Sequence, residues 1–335
     1  MKIIIPMAGR GSRLRPHTLT IPKPMQPVAG KPIVQRIVED FDASFPGGIE
    51  EVAFIIGDFG AEVEQQLTKI AKGIGAKASI YQQEVPLGPA HAIQCAKDSL
   101  EGKCIVAFAD TLFNADFSFD TEQDGMIWVQ KVADPSSFGV VKLDDQGVIT
   151  DFVEKSPTFV SDLAIVGIYY FKDGAALRDQ IQHLIDNDIK DKGEFQITSV
   201  LDNMKAAGTK FRAGKIDEWL DCGNKENIIA TTSRILELKQ DKEQLIADSL
   251  TQKNSQIIPP CYIGENVQLE NSVVGPFAVI DNNSVVKNSV IQKTIVQQNS
   301  QVTNANLRES MIGNEASYEG HARTVSVGDY SQIAE

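Results

Sequence analysis

The amino-terminal part of the chain contains, at residues 6–31, the stretch PMAGRGSRLRPHTLTIPKPMQPVAGK. It follows a short apolar run, Ile3-Ile4-Ile5, which predicts a buried first strand. Gly9 and Gly11 can adopt backbone angles that other residues avoid, so the N–H groups of this loop can turn toward an anion. The stretch therefore predicts an anion-binding loop that leaves the end of a buried strand.

The charge of this stretch is opposite to that of the whole chain. Seven Lys and Arg residues precede the first acidic residue, Glu39, although the net charge of the protein is -13. Arg13 and Arg15 are forked donors suited to phosphate oxygens, and the prolines around Lys23 stiffen the returning chain. A polyphosphate ligand accounts for this local excess of cations. The alternative is a strand-to-loop turn with solvated arginines, because a G-x-G motif alone is weak evidence and neither a Walker loop nor a dinucleotide fingerprint is present.

Composition limits the class of protein. A chain of 335 residues predicts two domains, and 42% hydrophobic with 23% charged residues is ordinary for a soluble globular protein. No apolar run approaches the ~20 residues that span a bilayer, and no signal-peptide pattern opens the chain. A pI near 4.9 argues against nucleic acid as a partner. We expect a cytoplasmic protein with a small-molecule ligand and reduced thiols at Cys95, Cys104, Cys222 and Cys261.

Apolar periodicity predicts alternating strands and helices up to Asp110. This alternation indicates a parallel α/β sheet, whose ligands lie beyond the carboxyl ends of the strands. That geometry places the Gly9–Arg13 loop, the Gln82–Gly88 loop and Asp110 on one edge of the sheet. The predicted helices are 32–44, 60–72 and 88–99, and the predicted strands are 51–56, 78–81 and 104–108.

Shorter strands are predicted between residues 125 and 171. Asp144-Asp145-Gln146-Gly147 is a hairpin signal between two of them. After this region the pattern predicts helices at 173–187 and 195–207, a strand at 210–216 and a long charged helix at 223–246.

Beyond residue 255 aliphatic residues recur every five to seven positions, with Asn and Gly between them. A hexapeptide period with one inward aliphatic residue per short strand is typical of a parallel β-helix. We therefore expect an α/β domain at 1–230, a linker helix at 231–253 and a left-handed β-helix at 254–335, with 314–335 as a cap or a loose end. The predicted inward residues are Ile257, Ile263, Val267, Val273, Val279, Val285, Val290, Ile295, Val302, Leu307 and Ile312.

Residues 9–32 resemble the signature of the sugar-nucleotide pyrophosphorylases, nucleotidyltransferases that join a sugar 1-phosphate to an NTP. The family pattern is an apolar strand, G-x-G-[ST]-R-[LMF]-x-P-x-T, K-P and P-[VI]-x-x-[KR]-P, and this sequence has every element. The resemblance implies a Rossmann-like mixed sheet followed by a short left-handed parallel β-helix of hexapeptide repeats. Further matches are QQEVPLGPA at 82–90, FGVV at 138–141, FVEKSP at 152–157, VGIY at 166–169, GEFQIT at 193–198 and WLDCG at 219–223.

The resemblance also implies a role for each matching residue. Three positions depart from the family pattern: Ala109 replaces a glycine, Ser156 precedes the proline, and Ser199 replaces an aspartate of the sugar site. Two acids more than 100 residues apart suit Mg²⁺, which takes few protein ligands. The implied roles are catalysis for Arg13 and Lys23, nucleotide binding for Ala8, Gly9, Gly11, Ser12, Gln83 and Gly88, sugar-phosphate binding for Gly139, Glu154, Lys155, Gly167 and Glu194, and Mg²⁺ binding for Asp110 and Asp221.

The implied reaction is in-line attack of a sugar 1-phosphate, such as glucose 1-phosphate, on the α-phosphate of an NTP, with UTP and dTTP favoured. The resemblance implies that the product is a precursor for polysaccharides. It also implies a homo-oligomer that has no nucleic acid or membrane partner. One alternative is a non-catalytic regulatory relative, although such relatives tend to lose residues that are present here. Another is a bifunctional enzyme with acyltransferase activity in the β-helix, where His321 would act. The histidines match no metal spacing, and core or surface roles are expected for His17, His91 and His183.

Overall fold

The computed structural model describes residues 1–45, 47–115, 117, 119–321 and 324–332. The chain divides into two compact units. The first comprises residues 1–27 and 31–223, and the second comprises residues 28–30 and 224–335. The division into 1–230, 231–253 and 254–335 stays a prediction.

The first unit is built on a mixed sheet of nine strands. Strand β1 lies in its middle and pairs in parallel with β4 on one side and β6 on the other. Antiparallel strands β11, β9 and β10 continue the sheet beyond β6. The nine strands are β1 Lys2–Pro6, β4 Glu51–Ile56, β5 Lys77–Gln82, β6 Cys104–Ala107, β8 Gly125–Lys131, β9 Gly139–Leu143, β10 Ile149–Glu154, β11 Leu163–Phe171 and β12 Phe211–Lys215. Two separate two-stranded sheets are formed by β2 Pro27–Val28 with β3 Lys31–Pro32 and by β7 Thr111–Asn114 with β13 Glu218–Asp221.

Helices of the first unit begin and end close to the predicted positions. Asp173 begins one of them because its side chain accepts hydrogen bonds from the N–H groups of Ala175 and Ala176. The helix predicted at 88–99 ends at Cys95, and a separate 3₁₀ turn follows at Lys97–Ser99. These helices are α1 Ile33–Ser44, α2 Ala61–Gly73, α3 Pro89–Cys95, α4 Gly174–Asp186 and α5 Ile197–Ala206.

The core of the first unit confirms the apolar strands. Ile3, Ile4 and Ile5 are fully buried, as expected for a central strand with both faces covered. The Asp144–Gly147 turn joins β9 and β10, and the N–H of Gly147 donates to the carbonyl oxygen of Asp144 over 3.1 Å. Since β1, β4 and β6 are parallel, their carboxyl ends lie on one edge of the sheet, which is where the predicted ligand loops begin.

The second unit opens with helix α6, Lys225–Lys239, which the side chain of Asn224 caps. It is shorter than the helix predicted at 223–246. The backbone after it is hydrogen bonded elsewhere, because Ile263 donates to Leu245 and Ala247 donates to Ile263. Those residues are therefore committed to the first coil of the next structure and cannot continue the helix.

A left-handed parallel β-helix follows, as predicted. Three sheets run along it, each formed by equivalent short strands of successive coils. Gln268 pairs with Val285 and Gln301 pairs with Ser317, so a coil is 17 or 16 residues long. The strands are β14 Thr251–Lys253, β15 Gln256–Ile257, β16 Tyr262–Ile263, β17 Gln268–Glu270, β18 Val273–Val274, β19 Val279–Ile280, β20 Val285–Lys287, β21 Val290–Gln292, β22 Ile295–Val296, β23 Gln301–Thr303, β24 Asn306–Arg308, β25 Met311–Ile312 and β26 Ser317–Glu319.

The register of several β-helix strands differs by one residue from the prediction. Val290, predicted to point inward, is 45% exposed, whereas Ile291 is fully buried. The reason is strand alternation: buried Ser289 precedes Val290, so the next inward position is Ile291. Val274 and Val286 likewise replace Val273 and Val285 as core residues.

Four further properties concern the described part of the chain. All four cysteines are free thiols, as expected. No helix in the described ranges is long and apolar enough to cross a membrane. Within the same ranges, no group of three or more His, Cys, Asp or Glu side chains is arranged to hold a metal ion. His321 is exposed and follows the last strand, β26.

Candidate active site

The glycine-rich loop after β1 folds back onto Lys23. Gly11 has a φ of +81°, and a Cβ atom added there would lie 2.5 Å from Cβ of Lys23. The N–H of Lys23 donates to the carbonyl oxygen of Arg10 over 3.2 Å, and the hydroxyl of Thr18 donates to that of Gly11 over 2.8 Å. Only glycine fits at position 11, because the loop brings the backbone there into close contact with the Lys23 side chain. The loop thereby holds the Lys23 stem in a buried position.

Lys23 and Asp110 form the charged centre of the site. The Nζ of Lys23 lies 3.6 Å from Oδ2 of Asp110, which follows strand β6 by three residues. The Lys23 side chain is 9% exposed, whereas the Asp110 side chain is 59% exposed. Asp110 therefore faces open space while its cationic partner is enclosed.

Asp221 is brought beside Asp110 by a two-stranded antiparallel ladder. In the pairing of β7 with β13, Thr111 lies opposite Asp221. The ladder continues one step further, because the N–H of Cys222 donates to the carbonyl oxygen of Asp110 over 3.3 Å. Oδ1 of Asp221 accepts a hydrogen bond of 2.8 Å from the N–H of Gly223. Two acids far apart in sequence are thus backbone neighbours.

A first cavity of about 610 Å³ opens at the carboxyl ends of the parallel strands. Most residues that the sequence assigned to nucleotide binding and catalysis line it. Ser12 does not line it and is exposed in the 3₁₀ turn Ser12–Leu14. The lining includes Ala8, Gly9, Gly11, Arg13, Lys23, Gln83, Gly88, Asp110 and Glu194.

A second cavity of about 280 Å³ lies next to the first. Pro89, Phe108 and Asp110 line both, so the two cavities meet at Asp110. Of the residues assigned to the sugar phosphate, all but Glu194 line this second cavity. They are Gly139, Glu154, Lys155 and Gly167.

The loop at Gln82–Gly88 and the start of α3 are hydrogen bonded to Phe195, which lies two residues before α5. The N–H of Phe195 donates to the carbonyl oxygen of Leu87 over 2.9 Å, and that of Ala90 donates to the carbonyl oxygen of Phe195 over 3.0 Å. A Cβ atom on Gly88, whose φ is +118°, would lie 2.7 Å from the backbone nitrogen of Phe195. This close approach explains the glycine at that position.

Hydrogen bonds orient Glu154 and Lys155 in the second cavity. Oε2 of Glu154 accepts from the hydroxyl of Thr198 over 3.1 Å, and its Oε1 lies 3.4 Å from Nζ of Lys155. Lys155 has a φ of +41°, which is unusual for a residue other than glycine. The ammonium group of Lys192 donates to the carbonyl oxygen of Lys155 over 3.0 Å and supports this conformation.

Sequence reasoning missed several residues of the site. The motifs do not include Lys192, which directly precedes the matching GEFQIT segment. Trp219 belongs to the WLDCG motif, which gives no sign that this side chain lines the second cavity. Its buried Nε1 has no hydrogen-bond partner among the described residues. Burial, together with the nearby charges of Glu154 and Asp110, raises the pKa of Tyr169 far above its ordinary value. Tyr169 therefore stays neutral in the wall of this cavity.

Few of the seven amino-terminal cations line the cavities. Lys31 pairs with Glu39 over 2.7 Å, and Lys2 lies 3.5 Å from Glu51. Arg10 donates to the carbonyl oxygen of Asp58. The remaining cations include Arg36, which is buried in α1, and Arg15, which is exposed and outside the lining of both cavities; Arg13 and Lys23 line the first cavity.

Comparison with known proteins places these features in a family. A family model described as Nucleotidyl transferase matches residues 2–238, most of the chain. The chain is 32% identical to the low-salt glycan biosynthesis nucleotidyltransferase Agl11 of Haloferax volcanii over 75% of its own length and 71% of that protein. It is 29% identical to a glucose-1-phosphate thymidylyltransferase of Streptomyces griseus over 83% of its length and 81% of the relative.

A solved structure shares the fold. The crystal structure of a UDP-glucose pyrophosphorylase complexed with UDP-glucose superimposes with a TM-score of 0.59 at 25% identity, covering 71% of this chain and 98% of the other. The resemblance found in the sequence motifs is confirmed. The chain belongs to the Nucleotidyl transferase family, and it carries that family's domain followed by a left-handed β-helix.

Proposed function

We propose that this enzyme joins a hexose 1-phosphate, glucose 1-phosphate or a close relative, to UTP or dTTP, with release of pyrophosphate. The family uses NTP and sugar 1-phosphate substrates. The thymidylyltransferase relative and the UDP-glucose pyrophosphorylase neighbour support glucose 1-phosphate and a pyrimidine nucleotide. The observation that carries the proposal is the meeting of two cavities at Asp110, next to the Lys23 ammonium group.

The two cavities suit the two substrates. The first cavity, lined by the glycine loop, Arg13 and Lys23, would hold the NTP with its phosphates toward Asp110. The second, lined by Glu154 and Lys155, would hold the sugar 1-phosphate, with Glu154 accepting hydrogen bonds from sugar hydroxyls. Substrates bound in this way would have the attacking phosphate and the α-phosphate next to each other at the wall that the two cavities share.

The reaction needs no side-chain nucleophile. An oxygen of the sugar 1-phosphate forms a bond to the α-phosphorus of the NTP, and the bond from that phosphorus to the bridging oxygen of the β-phosphate breaks. Lys23 and Lys155 would reduce the repulsion between the two anions, and Arg13 would stabilise charge on the leaving pyrophosphate. The contribution of the protein is to position the substrates and neutralise their charge.

Asp110 and Asp221 fit a divalent cation, which this family generally uses. Both offer carboxylate oxygens, the ligands that Mg²⁺ prefers, and their backbones are hydrogen bonded as neighbours. Two protein ligands agree with the habit of Mg²⁺ of retaining water and substrate phosphate ligands. When bound, Mg²⁺ would supply positive charge to the phosphates during the displacement.

Pyrophosphate release measured over a grid of NTPs and sugar 1-phosphates tests the proposal. We expect the fastest release with UTP or dTTP and glucose 1-phosphate, and loss of release when EDTA removes divalent ions. A maximum with GTP and mannose 1-phosphate would overturn the substrate assignment. Absence of release with every pair, under conditions where a known pyrophosphorylase is active, would favour the non-catalytic alternative.

The same preparation tests the bifunctional alternative. Acetyl-CoA consumption with an amino-sugar phosphate would indicate acyltransferase activity in the β-helix. The proposed binding partners are the NTP and the sugar 1-phosphate. We also propose that the enzyme is a homo-oligomer and that it acts in the cytoplasm.

A further inference from the structure

Two hydrogen bonds hold the carboxamide of Gln83 in one orientation. Its Nε2 lies 3.3 Å from the carbonyl oxygen of Gly88 and 3.1 Å from Nδ1 of His91. A backbone carbonyl can only accept, so the nitrogen of the carboxamide, and not its oxygen, must face Gly88. Both N–H groups of Gln83 are then directed to these two partners. Because Gln83 lines the first cavity, its Oε1 is the polar atom left for a ligand.

This arrangement determines the tautomer of His91. Since Gln83 donates, Nδ1 of His91 must be an unprotonated acceptor, and the proton of the neutral ring lies on Nε2. Burial lowers the pKa of His91, which favours the neutral ring. His91 does not itself line the first cavity. Its effect on a ligand would therefore pass through Gln83.

The position of His91 is set by the helix that carries it. His91 belongs to α3, whose second residue, Ala90, donates to the carbonyl oxygen of Phe195 over 3.0 Å. The N–H of Ala92 donates to the carbonyl oxygen of Gly88 over 3.1 Å. The start of α3 and both partners of Gln83 thus form one hydrogen-bonded unit, which leaves the carboxamide little freedom to turn.

We infer that His91 is a positioning residue that fixes Gln83 with its oxygen toward the base and so selects nucleobases that carry a ring N–H. This inference rests on the proposed nucleotide site. Uracil and thymine present N3–H, and guanine presents N1–H, as donors to such an oxygen. Adenine and cytosine have an unprotonated ring nitrogen on the same edge, which would face the Gln83 oxygen without a hydrogen bond. Without the His91 acceptor, only the Gly88 carbonyl oxygen, 3.3 Å away, would hold the amide nitrogen, so the carboxamide would turn more readily and present N–H to these bases.

Three variants separate the acceptor from the packing of the ring. His91→Phe keeps a planar ring and removes the acceptor. His91→Asn places an amide oxygen near the position of Nδ1 and restores it. His183→Phe is the matched control, because Nδ1 of His183 lies 3.2 Å from the Asn187 amide nitrogen on the surface of α4, and His183 lines neither cavity.

The measurements are dissociation constants for UTP, GTP, ATP and CTP by titration calorimetry, and KM and kcat for pyrophosphate release. For His91→Phe we expect the preference for UTP over ATP to fall about tenfold, the order expected for one hydrogen bond. KM for the sugar 1-phosphate should stay unchanged. His91→Asn should recover most of the preference, and His183→Phe should match the wild type.

Each outcome decides the inference. Equal nucleotide preference in His91→Phe and the wild type overturns it, and so does equal loss in His91→Phe and His91→Asn, since that identifies a packing role. The absence of nucleotide binding to the wild type would overturn both the inference and the proposed function. The expected binding pattern without pyrophosphate release would support the role of His91 and overturn the proposed reaction alone.

Discussion

Arg13 and Asp110 both line the first cavity, whereas Arg15, two residues beyond Arg13, does not. We expect Arg13→Ala and Asp110→Asn to fold normally and to release pyrophosphate about 100-fold more slowly, as is typical when one stabilising charge is removed. Both side chains are exposed enough that folding should not depend on them.

The control for this prediction is Arg15→Ala, which should retain most of the activity. Circular dichroism and thermal unfolding check the fold of all three variants. Full turnover by either Arg13→Ala or Asp110→Asn would contradict the role assigned to that residue.

Glu51 is a buried acid that stabilises the first unit. Its Oε1 accepts hydrogen bonds from Ser79 over 2.6 Å, from Ser99 over 2.9 Å and from Lys77 over 3.2 Å. Burial by itself would raise the pKa of Glu51, but these hydrogen bonds and the charge of Lys77 outweigh it and lower the pKa below the ordinary 4.5. A carboxyl whose pKa is lower in the folded state stabilises that state above 4.5, and this stabilisation is lost as the pH falls through the folded pKa.

We therefore expect Glu51→Gln to reduce the free energy of unfolding by about 1.5–3 kcal/mol at pH 7, the range for hydrogen bonds to a charged group. The difference from the wild type should shrink below pH 4.5. Urea unfolding at several pH values measures it. A difference that stays constant down to pH 3.5 would exclude a contribution from the Glu51 charge.

At the scale of elements, the β-helix depends on a ladder of asparagines at one of its corners. The amide of Asn266 donates to Asn283 over 3.1 Å, and that of Asn283 donates to Asn299 over 3.1 Å. All three residues have φ between +56° and +58°, a left-handed conformation that asparagine and glycine tolerate. Each coil therefore turns at a residue that also bonds to the next coil.

Two substitutions at Asn283 separate these contributions. Asn283→Gly loses the amide hydrogen bonds but adopts the positive φ without strain. Asn283→Ala loses the same hydrogen bonds and is also strained at this φ. We expect Asn283→Ala to be less stable than Asn283→Gly by about 1 kcal/mol, the cost of a left-handed residue with a Cβ atom. Thermal and urea unfolding of both variants provide the comparison. Equal stabilities would show that the backbone angle contributes nothing at this corner.

At the scale of the whole molecule, we expect assembly into a homo-oligomer. Apolar side chains near the carboxyl end of the chain are exposed in the single protomer: Tyr318 by 42%, Val325 by 62% and Val327 by 50%. Their burial against another copy would be favourable. Sedimentation equilibrium at micromolar concentrations should give a mass that is a multiple of 36.6 kDa. A single species of 36.6 kDa under these conditions would contradict the prediction.

Much of this molecule could be predicted from sequence because the relevant forces are local. The buried strand at Ile3–Ile5 follows from its apolar run. The β-helix follows from a period that short strands and asparagine corners repeat. In each case the side chains of a few consecutive residues are sufficient to determine the local structure.

The family and the residues of its motifs were determined by the sequence itself, because loop shape and charge are properties of short segments. Only the tertiary structure decided that β7 and β13 pair, which brings Asp110 and Asp221 together. It also decided that α6 ends at Lys239 and that His91 faces the amide of Gln83. These outcomes depend on hydrogen bonds between distant segments, and no local pattern specifies which donor will meet which acceptor.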